Sequence, residues 1–349
     1  MKDKIYLCSQ KEFNAARQLE VLPTSHPFNN LHGHTFRAGL RLQLEDSNSF
    51  SLENLKENLS DIIDPINYSF LNDGFKNTSD ISLAGQLFKK YNHNSLSDAY
   101  ISSTLTQGAC FSRSENPLIW KKFSFQAAHK LPNVSQGHKC GNMHGHTFEV
   151  IVSAKSSNNT QQELIELDRI CNLLYKELNK KCLNDMEGLE NPTSEIISSW
   201  IFSKIKESYN FISKVEVMET THAGCSFDGK DYKIWRDQKL ESAVSYESEE
   251  SVYGFGYTAR LYVESPIDEV FGWVMDFGDI KEVFKPVFLQ MDHHYLNELD
   301  NLDNPSVVGL VEWMGSQLRQ LFPQLSRVGL YESKGNGAEL FINKEKNER

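Results

Sequence analysis

Between residues 123 and 150 the chain carries five side chains that can bind a metal ion or act as nucleophiles. These are His129, His138, Cys140, His144 and His146. The flanking segments alternate apolar and polar residues, a pattern typical of half-buried β-strands. Side chains two positions apart on a strand share a face, so we expect His144 and His146 to project side by side, with His129 reaching the same point from the preceding strand. Three imidazoles are the donor set of a catalytic zinc, which keeps one position open for water or substrate.

A closed structural zinc site, with Cys140 as the fourth ligand, is the alternative. Structural zinc sites favour paired cysteines, and the chain contains no C-x2-C. A single histidine on a strand is more often a surface or core residue than a ligand. The density of histidines around Cys140 is what favours the catalytic interpretation.

The composition is that of an ordinary globular protein, with 39% hydrophobic and 24% charged residues in a chain of 349. Its net charge of −11 argues against nucleic acid as a partner, because non-specific binding depends on clustered Lys and Arg. No apolar run has the length of a membrane span, and the N-terminal segment lacks a signal-peptide core. Six scattered cysteines form no disulfide framework. These features predict a cytoplasmic protein without a membrane partner.

The run AAHKLP, followed by GHKC and, three residues later, HGHTF, resembles the 6-carboxytetrahydropterin synthases of queuosine biosynthesis, which are relatives of the 6-pyruvoyl tetrahydropterin synthases. In that family three histidines hold zinc and the cysteine is the catalytic base. The resemblance therefore implies Zn2+ as cofactor, His129, His144 and His146 as its ligands, and Cys140 as the base. The short spacing from Cys140 to His144 is similar to that of the carboxy-forming branch, since the pyruvoyl branch usually has a longer insert.

Internal repeats indicate the architecture. Residues 13–40 are similar to the central segment, and INYSFLND, NKKCLND and MDHHYLN recur at intervals of a little over a hundred residues. Each unit reads strand, strand, helix, helix, strand, strand. We predict three domains, residues 1–117, 118–240 and 241–349, with boundaries near Asn116-Pro117 and in the acidic, serine-rich segment 241–251.

The family fold implies the fold class and the assembly. It is the tunnelling fold (T-fold) of the α+β class, and the expected structure is a set of tandem T-fold repeats whose antiparallel strands close a pseudo-trimeric barrel with helices on the outside. Closure removes sheet edges that would otherwise pair with other chains. Single-repeat relatives form trimers and then hexamers, so the resemblance implies that one chain makes a whole ring and that two rings stack as a homodimer.

The first repeat lacks the catalytic residues of the central one. Arg17 takes the position of His129, and Phe28 takes that of Cys140, although His32 and His34 remain. A guanidinium cannot replace the third ligand. Asn67-Tyr68 stands in place of an Asp-His pair, and Ser103 in place of a pterin-anchoring glutamate. We interpret this repeat, residues 1–117, as a structural segment of the ring.

The second and third repeats have lost complementary parts of the site. The second keeps the three histidines, Cys140 and Glu219, but Asn179-Lys180 replaces the Asp-His pair. The third has Tyr253 and Phe255 in place of metal ligands, yet it keeps Asp292, His293 and Glu332. In the family, metal and thiol come from one subunit and the Asp-His pair from its neighbour. We therefore predict one composite site per chain, formed between these repeats or between the same repeats of two chains. The alternative is a pseudoenzyme in which both repeats have decayed.

The residue types indicate what each group would do. Nearby positive charge would lower the pKa of Cys140, so that a thiolate takes a proton from the substrate. Asp292 would fix the tautomer of His293. Glu219 or Glu332 would accept two hydrogen bonds from the 2-amino-4-oxo edge of a pterin. Thr193, at a helix start, is either a substrate contact or a plain N-cap.

The resemblance implies conversion of 7,8-dihydroneopterin triphosphate to 6-carboxy-5,6,7,8-tetrahydropterin, with release of acetaldehyde and triphosphate. Two alternatives remain at this stage. A 6-pyruvoyl tetrahydropterin synthase would use the same residues on the same substrate, and a non-catalytic scaffold would bind zinc or a pterin without turnover.

Overall fold

The elements of the computed structural model recur three times along the chain in the same order. The structure describes residues 2–20, 22–46, 50–157, 160–246, 251–333 and 335–343. The first repeat comprises β1 (Lys4–Arg17), β2 (His32–Leu44), α1 (Leu52–Ile63), the short strand β3 (Ser69–Phe70), α2 (Asp80–Tyr91), β4 (Leu96–Thr104) and β5 (Gln107–Ser112). The second comprises β6 (Leu118–His129), β7 (His144–Lys155), α3 (Thr160–Leu178), the short strand β8 (Lys181–Cys182), α4 (Ser194–Lys206), β9 (Ile212–Thr220) and β10 (Ala223–Phe227). The third comprises β11 (Tyr232–Val244), β12 (Tyr253–Glu264), α5 (Phe277–Met291), α6 (Val307–Leu321), β13 (Leu325–Ser333) and β14 (Asn336–Phe341).

The long strands close into one antiparallel barrel. Strands β5 and β6 join the first repeat to the second, and β10 and β11 join the second to the third. The barrel closes where β14 pairs with β1, from Lys4 opposite Phe341 to Cys8 opposite Gly337. The predicted α+β barrel of T-fold type is thereby confirmed. None of the helices in the described ranges has the length and apolarity to cross a membrane.

One face of the sheet packs against the helices and the other faces the lumen. Helix starts are defined by side-chain caps, because the first backbone N–H groups of a helix have no partner within it. Ser51, Ser79, Thr193, Asp276 and Ser306 cap α1, α2, α4, α5 and α6. The helices bury their apolar faces in two clusters, one formed mainly by the second repeat and one formed mainly by the first and third.

The lumen is polar, and its charges are paired across the closing seam. Glu339 on β14 accepts hydrogen bonds from Arg41 on β2 (3.0 Å) and from the Tyr331 hydroxyl (2.5 Å). Burial alone would raise the pKa of Glu339, but Arg327 and Arg41 hold it below its usual range. A cavity of about 550 Å³ is bordered by these side chains. The seam therefore joins the first and third repeats by ion pairs as well as by backbone hydrogen bonds.

Equivalent turns follow the first helix of each repeat. The side-chain oxygens of Asn67, Asn179 and Asp292 accept the N–H groups of Asn14, Gln126 and Glu241 at 2.9, 3.0 and 2.9 Å. The next residue in each case has a positive φ, 58° at Tyr68, 62° at Lys180 and 57° at His293. The three stretches compared in the sequence thus occupy the same structural position.

One predicted boundary disagrees with the strands. Residues 241–244 belong to β11, which begins at Tyr232, so a boundary at residue 240 would cut a continuous strand. The strand pattern instead favours a boundary at the turn of residues 228–231. Residues 247–250 of the predicted linker lie outside the described ranges.

A buried ion pair occupies the first repeat where the second has its histidines. Arg17 lies opposite His32 in the β1–β2 register, as His129 lies opposite His144. The Arg17 side chain is fully buried, and its Nη1 donates to Asp80 Oδ1 at 2.6 Å. Ser103 donates to the other oxygen of Asp80 at 2.8 Å. The cation of this repeat is thus a guanidinium held by a carboxylate.

We expect Arg17→Met to lower the free energy of unfolding by about 3–5 kcal/mol, because it leaves Asp80 buried without its cation. Combining it with Asp80→Leu should recover most of the loss, since apolar side chains can replace a buried pair at little cost. Urea unfolding would measure both. Arg37→Met, which removes a half-exposed pair with Glu12, is the control and should cost less than about 1 kcal/mol. Equal losses for Arg17→Met and Arg37→Met would contradict this account.

Candidate active site

Three histidines of the second repeat converge at the end of the β6–β7 hairpin. The strand register pairs His129 with His144 and Ala127 with His146. One potential ligand atom from each imidazole lies within 4.8 Å of those of the other two. The ring of Phe148, fully buried, packs against His129 and His146 with centroids 5.3 and 5.5 Å away. The strand pairing thus brings together the histidines that the sequence predicted would meet.

Hydrogen bonds orient these imidazoles for metal binding. Nδ1 of His129 donates to the Pro192 carbonyl at 2.9 Å, and Nδ1 of His144 donates to the Asn142 carbonyl at 2.8 Å. The Nε2 atom of His129 is buried and has no partner within the described part of the chain. Burial lowers the pKa of His129 to about 4, and burial together with His144 lowers that of His146. The oriented His129 ring, whose buried Nε2 has no partner among the described residues, together with the two neighbouring imidazoles suits a divalent cation such as zinc.

Cys140 lies in a single 3-10 turn, Lys139–Gly141, next to this cluster in sequence. Its backbone N–H donates to Nδ1 of His138 at 3.2 Å. Burial raises the pKa of the Cys140 thiol, Glu219 raises it further, and Lys139 opposes them. Among the groups of the chain itself, burial and a neighbouring carboxyl outweigh the one lysine, so the expected lowering of the thiol pKa depends on the positive charge that a bound metal would add.

Glu219 is the glutamate that shares this site. It lies near the end of β9, close enough to Cys140 to affect the thiol. Burial and then Glu195 raise the pKa of Glu219 to about 8. Glu195 on α4 is itself 2% exposed, and burial raises its pKa to about 7. The buried Glu195 and the partly buried Glu219 beside it thus resist ionisation until a hydrogen-bond donor or a cation stabilises the charge.

Glu332, the other candidate anchor, lies at a different junction. Its carboxylate pairs with Lys56 of the first repeat at 2.7 Å. It borders a cavity of about 150 Å³ between the third and first repeats, together with the starts of α1 and α6. The structure therefore separates Glu332 from the histidine cluster.

The Asp-His pair of the third repeat is preformed at the surface. Asp292 Oδ2 accepts a hydrogen bond from His293 Nδ1 at 2.9 Å, and the His293 side chain is 77% exposed. Although burial opposes it, hydrogen bonds from Glu241 and His293 hold the pKa of Asp292 below its usual range. Since α5 has 15 residues, the helix rise puts Asp292 about 24 Å from Asp276, which contacts His138. Within one chain the pair is not adjacent to Cys140.

Sequence reasoning missed the segment that covers the site. Residues 265–276 of the third repeat, which we call the third-repeat loop, pack on the second repeat. Thr193 both caps α4 and donates its hydroxyl to the Gly272 carbonyl at 2.5 Å, so its hydroxyl holds this loop. Asp276 bonds to His138. The only sequence signal was that Asp276 suits an N-cap, which does not reveal a contact with a residue 138 positions away.

The chain is similar in sequence to one known protein family in two separate regions. The sequence model of the family described as 6-pyruvoyl tetrahydropterin synthase matches twice, over residues 118–230 and 233–342. Together the two matches cover more than half of the chain. They correspond to the second and third repeats.

Individual relatives each match about one repeat. A 6-carboxy-5,6,7,8-tetrahydropterin synthase from Synechocystis is 40% identical over 113 residues, which cover 30% of this chain and 86% of that protein. A dihydroneopterin monophosphate aldolase from Pyrococcus furiosus is 33% identical over 101 residues, or 28% of this chain and 85% of the relative. The structure of 6-pyruvoyl tetrahydropterin synthase from Caenorhabditis elegans matches with a TM-score of 0.30 at 23% identity, covering 32% of this chain and 95% of that one.

We expect the purified protein to bind about one zinc ion per chain, because only the second repeat offers three imidazoles within the described residues. His144→Ala should abolish this binding, and chelation should lower the thermal transition of the wild type only. Metal analysis after dialysis would measure the stoichiometry. His32→Ala, at the equivalent position of the first repeat, is the matched control. Zinc retained by His144→Ala, or lost from His32→Ala, would show that the metal binds elsewhere.

Proposed function

The chain belongs to the 6-pyruvoyl tetrahydropterin synthase family, and from this premise we propose that it is a zinc-dependent lyase of the 6-carboxy-5,6,7,8-tetrahydropterin synthase type. The proposed reaction converts 7,8-dihydroneopterin triphosphate to 6-carboxy-5,6,7,8-tetrahydropterin, with release of acetaldehyde and triphosphate, as an early step toward 7-deazapurines. The observation that carries the proposal is the grouping of three imidazoles, two of them oriented by hydrogen bonds, with Cys140 and Glu219 in one repeat.

The metal-binding residues in this proposal are His129, His144 and His146. A bound zinc would supply Lewis-acid polarisation of the oxygen atoms on the pterin side chain, which acidifies the neighbouring C–H bonds. The protein itself contributes the orientation of the histidine rings. Pro192 and Asn142 carbonyls hold two of the rings, and Phe148 packs against the cluster from the core.

Cys140 is the proposed base. Burial and Glu219 raise the pKa of the thiol and favour its protonated form, and a nearby divalent cation would act in the opposite direction by stabilising the thiolate. The thiolate would then be available when metal and substrate are both in place. Because the thiolate would form only when metal and substrate are bound, proton transfer would be limited to bound substrate.

Glu219 is the proposed anchor for the pterin ring. The 2-amino and N3–H groups of a pterin are adjacent donors that match the two oxygens of a carboxylate. Burial and then Glu195 disfavour a charge on Glu219, and two hydrogen-bond donors from a bound pterin would favour it. We assign Glu332 no part in this site, because Lys56 already neutralises it at another junction.

Asp292 and His293 are the proposed second half of the catalytic group, supplied by another copy of the chain. Their separation from Cys140 along α5 argues against a site closed within one chain. The exposed imidazole, held through Nδ1 by Asp292, leaves Nε2 available to a neighbouring molecule. Two rings stacked as a homodimer would let each chain complete the site of the other.

Two other functions use the same residues. A 6-pyruvoyl tetrahydropterin synthase would differ in the fate of the side chain. The relative named as a dihydroneopterin monophosphate aldolase raises retro-aldol cleavage of a monophosphate as a further candidate. Mass analysis of products from the triphosphate and the monophosphate separates the three. Zinc binding without any turnover would instead favour a scaffold.

We expect the zinc-loaded wild type to turn over dihydroneopterin triphosphate, and Cys140→Ala and His293→Ala each to lose that activity. An equimolar mixture refolded or exchanged together should recover roughly a quarter of it, because random mixing puts one intact site in each mixed dimer. Lys180→Ala, at the position in the second repeat equivalent to His293, is the matched control and should stay active.

Other results of this mixing experiment would favour other hypotheses about the site. No recovery in the mixture would place the complete site within one chain. A fully active His293→Ala would remove the Asp-His pair from the mechanism. An inactive wild type that binds zinc would favour the scaffold.

A further inference from the structure

The third-repeat loop is fixed over the second-repeat site by hydrogen bonds from side chains of the second repeat. Asn133 and Asn191 donate to the carbonyls of Val270 and Phe271 at 2.6 and 2.7 Å. Glu195 accepts the N–H of Val274 at 2.9 Å. Together with the Thr193 hydrogen bond to Gly272, these contacts hold successive backbone groups of the loop. The loop is therefore part of the wall of the site and not a free connection.

Contacts between residues of the loop itself also determine its conformation. Asp268 Oδ1 accepts the N–H groups of Val270 and Phe271, both at 2.9 Å. Gly272 has a φ of +71°, and a Cβ there would lie 2.7 Å from Asn191 Nδ2. The rings of Phe271 and Trp273 stack at a centroid distance of 5.2 Å. A loop held this way presents its last residue, Asp276, in a defined position.

Asp276 uses its two oxygens for different partners. Oδ1 caps α5 by accepting the N–H of Gly278 at 2.6 Å, and Oδ2 lies 3.0 Å from Nε2 of His138. Nδ1 of the same imidazole accepts the N–H of Cys140 at 3.2 Å. Because Nδ1 is an acceptor, Nε2 carries the hydrogen and donates it to Asp276. A continuous series of hydrogen bonds thus runs from the start of α5 to the backbone of Cys140.

The first repeat provides an internal comparison. Nδ1 of His26 accepts the N–H of Phe28 at 3.2 Å, which is the same local cap on the equivalent 3-10 turn. No acidic partner for His26 is found among the residues that the structure describes. The first repeat has also lost the cysteine. The carboxylate contact is therefore present in the repeat that keeps the thiol.

We propose that Asp276 is a positioning residue, through which the third repeat orients His138 and thereby sets the position of the Cys140 thiol. The proposal rests on the proposed function for its kinetic consequence, but not for its structural one. Without the Asp276 carboxylate, the imidazole would keep its hydrogen bond with the Cys140 N–H and its ring contact with Trp273, at a centroid distance of 6.2 Å, but no hydrogen bond to the third repeat would fix its orientation. The thiol would then sample positions away from the substrate carbon, and misplacement of about 1 Å is enough to slow a reaction.

Two substitutions remove this hydrogen bond from opposite sides and preserve the local caps. Asp276→Ser keeps a helix N-cap but is too short to reach His138, and Ser51, Ser79 and Ser306 already cap helices in this chain. His138→Asn places an amide oxygen where Nδ1 accepts the Cys140 N–H, but it has no atom that reaches Asp276. The double variant completes a cycle that isolates the contact. His26→Asn, the same substitution in the first repeat, is the matched control.

The measurements are kcat and KM for the pterin triphosphate, zinc content, and the rate at which iodoacetamide alkylates Cys140, followed on its own peptide by mass spectrometry. Each single variant should lower kcat roughly tenfold with KM and zinc content unchanged, and should raise the alkylation rate at least about threefold. The double variant should resemble the single variants, and His26→Asn should resemble the wild type. Wild-type kcat and alkylation in either single variant, or losses that multiply in the double variant, would overturn the proposal.

Failure of the proposed function is distinguishable from failure of this inference. If the wild type turns over no pterin, the alkylation cycle still tests whether Asp276 and His138 act as one unit on Cys140. If the wild type is active and the cycle shows no coupling, the function stands and the positioning role does not.

Discussion

The need to satisfy the backbone groups at the edges of the sheet constrains this structure more than any single contact does. The two outer strands of a repeat present unpaired N–H and C=O groups at their edges, and a single repeat has no further strand to pair with them. Pairing of β5 with β6, β10 with β11 and β14 with β1 removes all three pairs of edges within one chain. Closure is thus intramolecular, and the arrangement of the repeats in the ring is determined by their order in the chain.

A ring made by one chain allows its three junctions to differ. At the hairpin position where the second repeat has His129, the first has Arg17 and the third has Val244, and the strand pairing places all three at equivalent ends. The three side chains at this position differ in the partners that they need when buried. The imidazole has an oriented, unpartnered nitrogen, the guanidinium pairs with Asp80, and the apolar side chain needs no partner. Among the described residues, three grouped imidazoles therefore occur in one repeat only, while the barrel keeps its pseudo-threefold form.

The third repeat carries two features of interest at opposite ends of α5. Its loop packs on the second repeat and reaches the Cys140 turn through Asp276, whereas its Asp-His pair faces solvent at the other end of α5. The backbone conformation of the turn that carries His293 is the same in all three repeats, because Tyr68 and Lys180 also have a positive φ. What distinguishes the third repeat is the side chain at that position and the carboxylate beside it. The same turn occurs in all three repeats, and in the third it carries an exposed imidazole that could take part in catalysis.

Much of the fold and of the histidine cluster could be predicted from the sequence alone. Alternation of apolar residues predicted the strands, recurrent segments predicted three similar units, and the spacing of His144 and His146 placed them on one face. These are local properties of a chain with a strand period of two. Tertiary structure decided the rest. It separated Glu219 from Glu332, raised the pKa of Cys140, continued β11 through a predicted linker, and brought Asp276 to His138. Burial and the packing of distant loops set these features, since desolvation and long-range hydrogen bonds depend on the whole barrel and not on neighbouring residues.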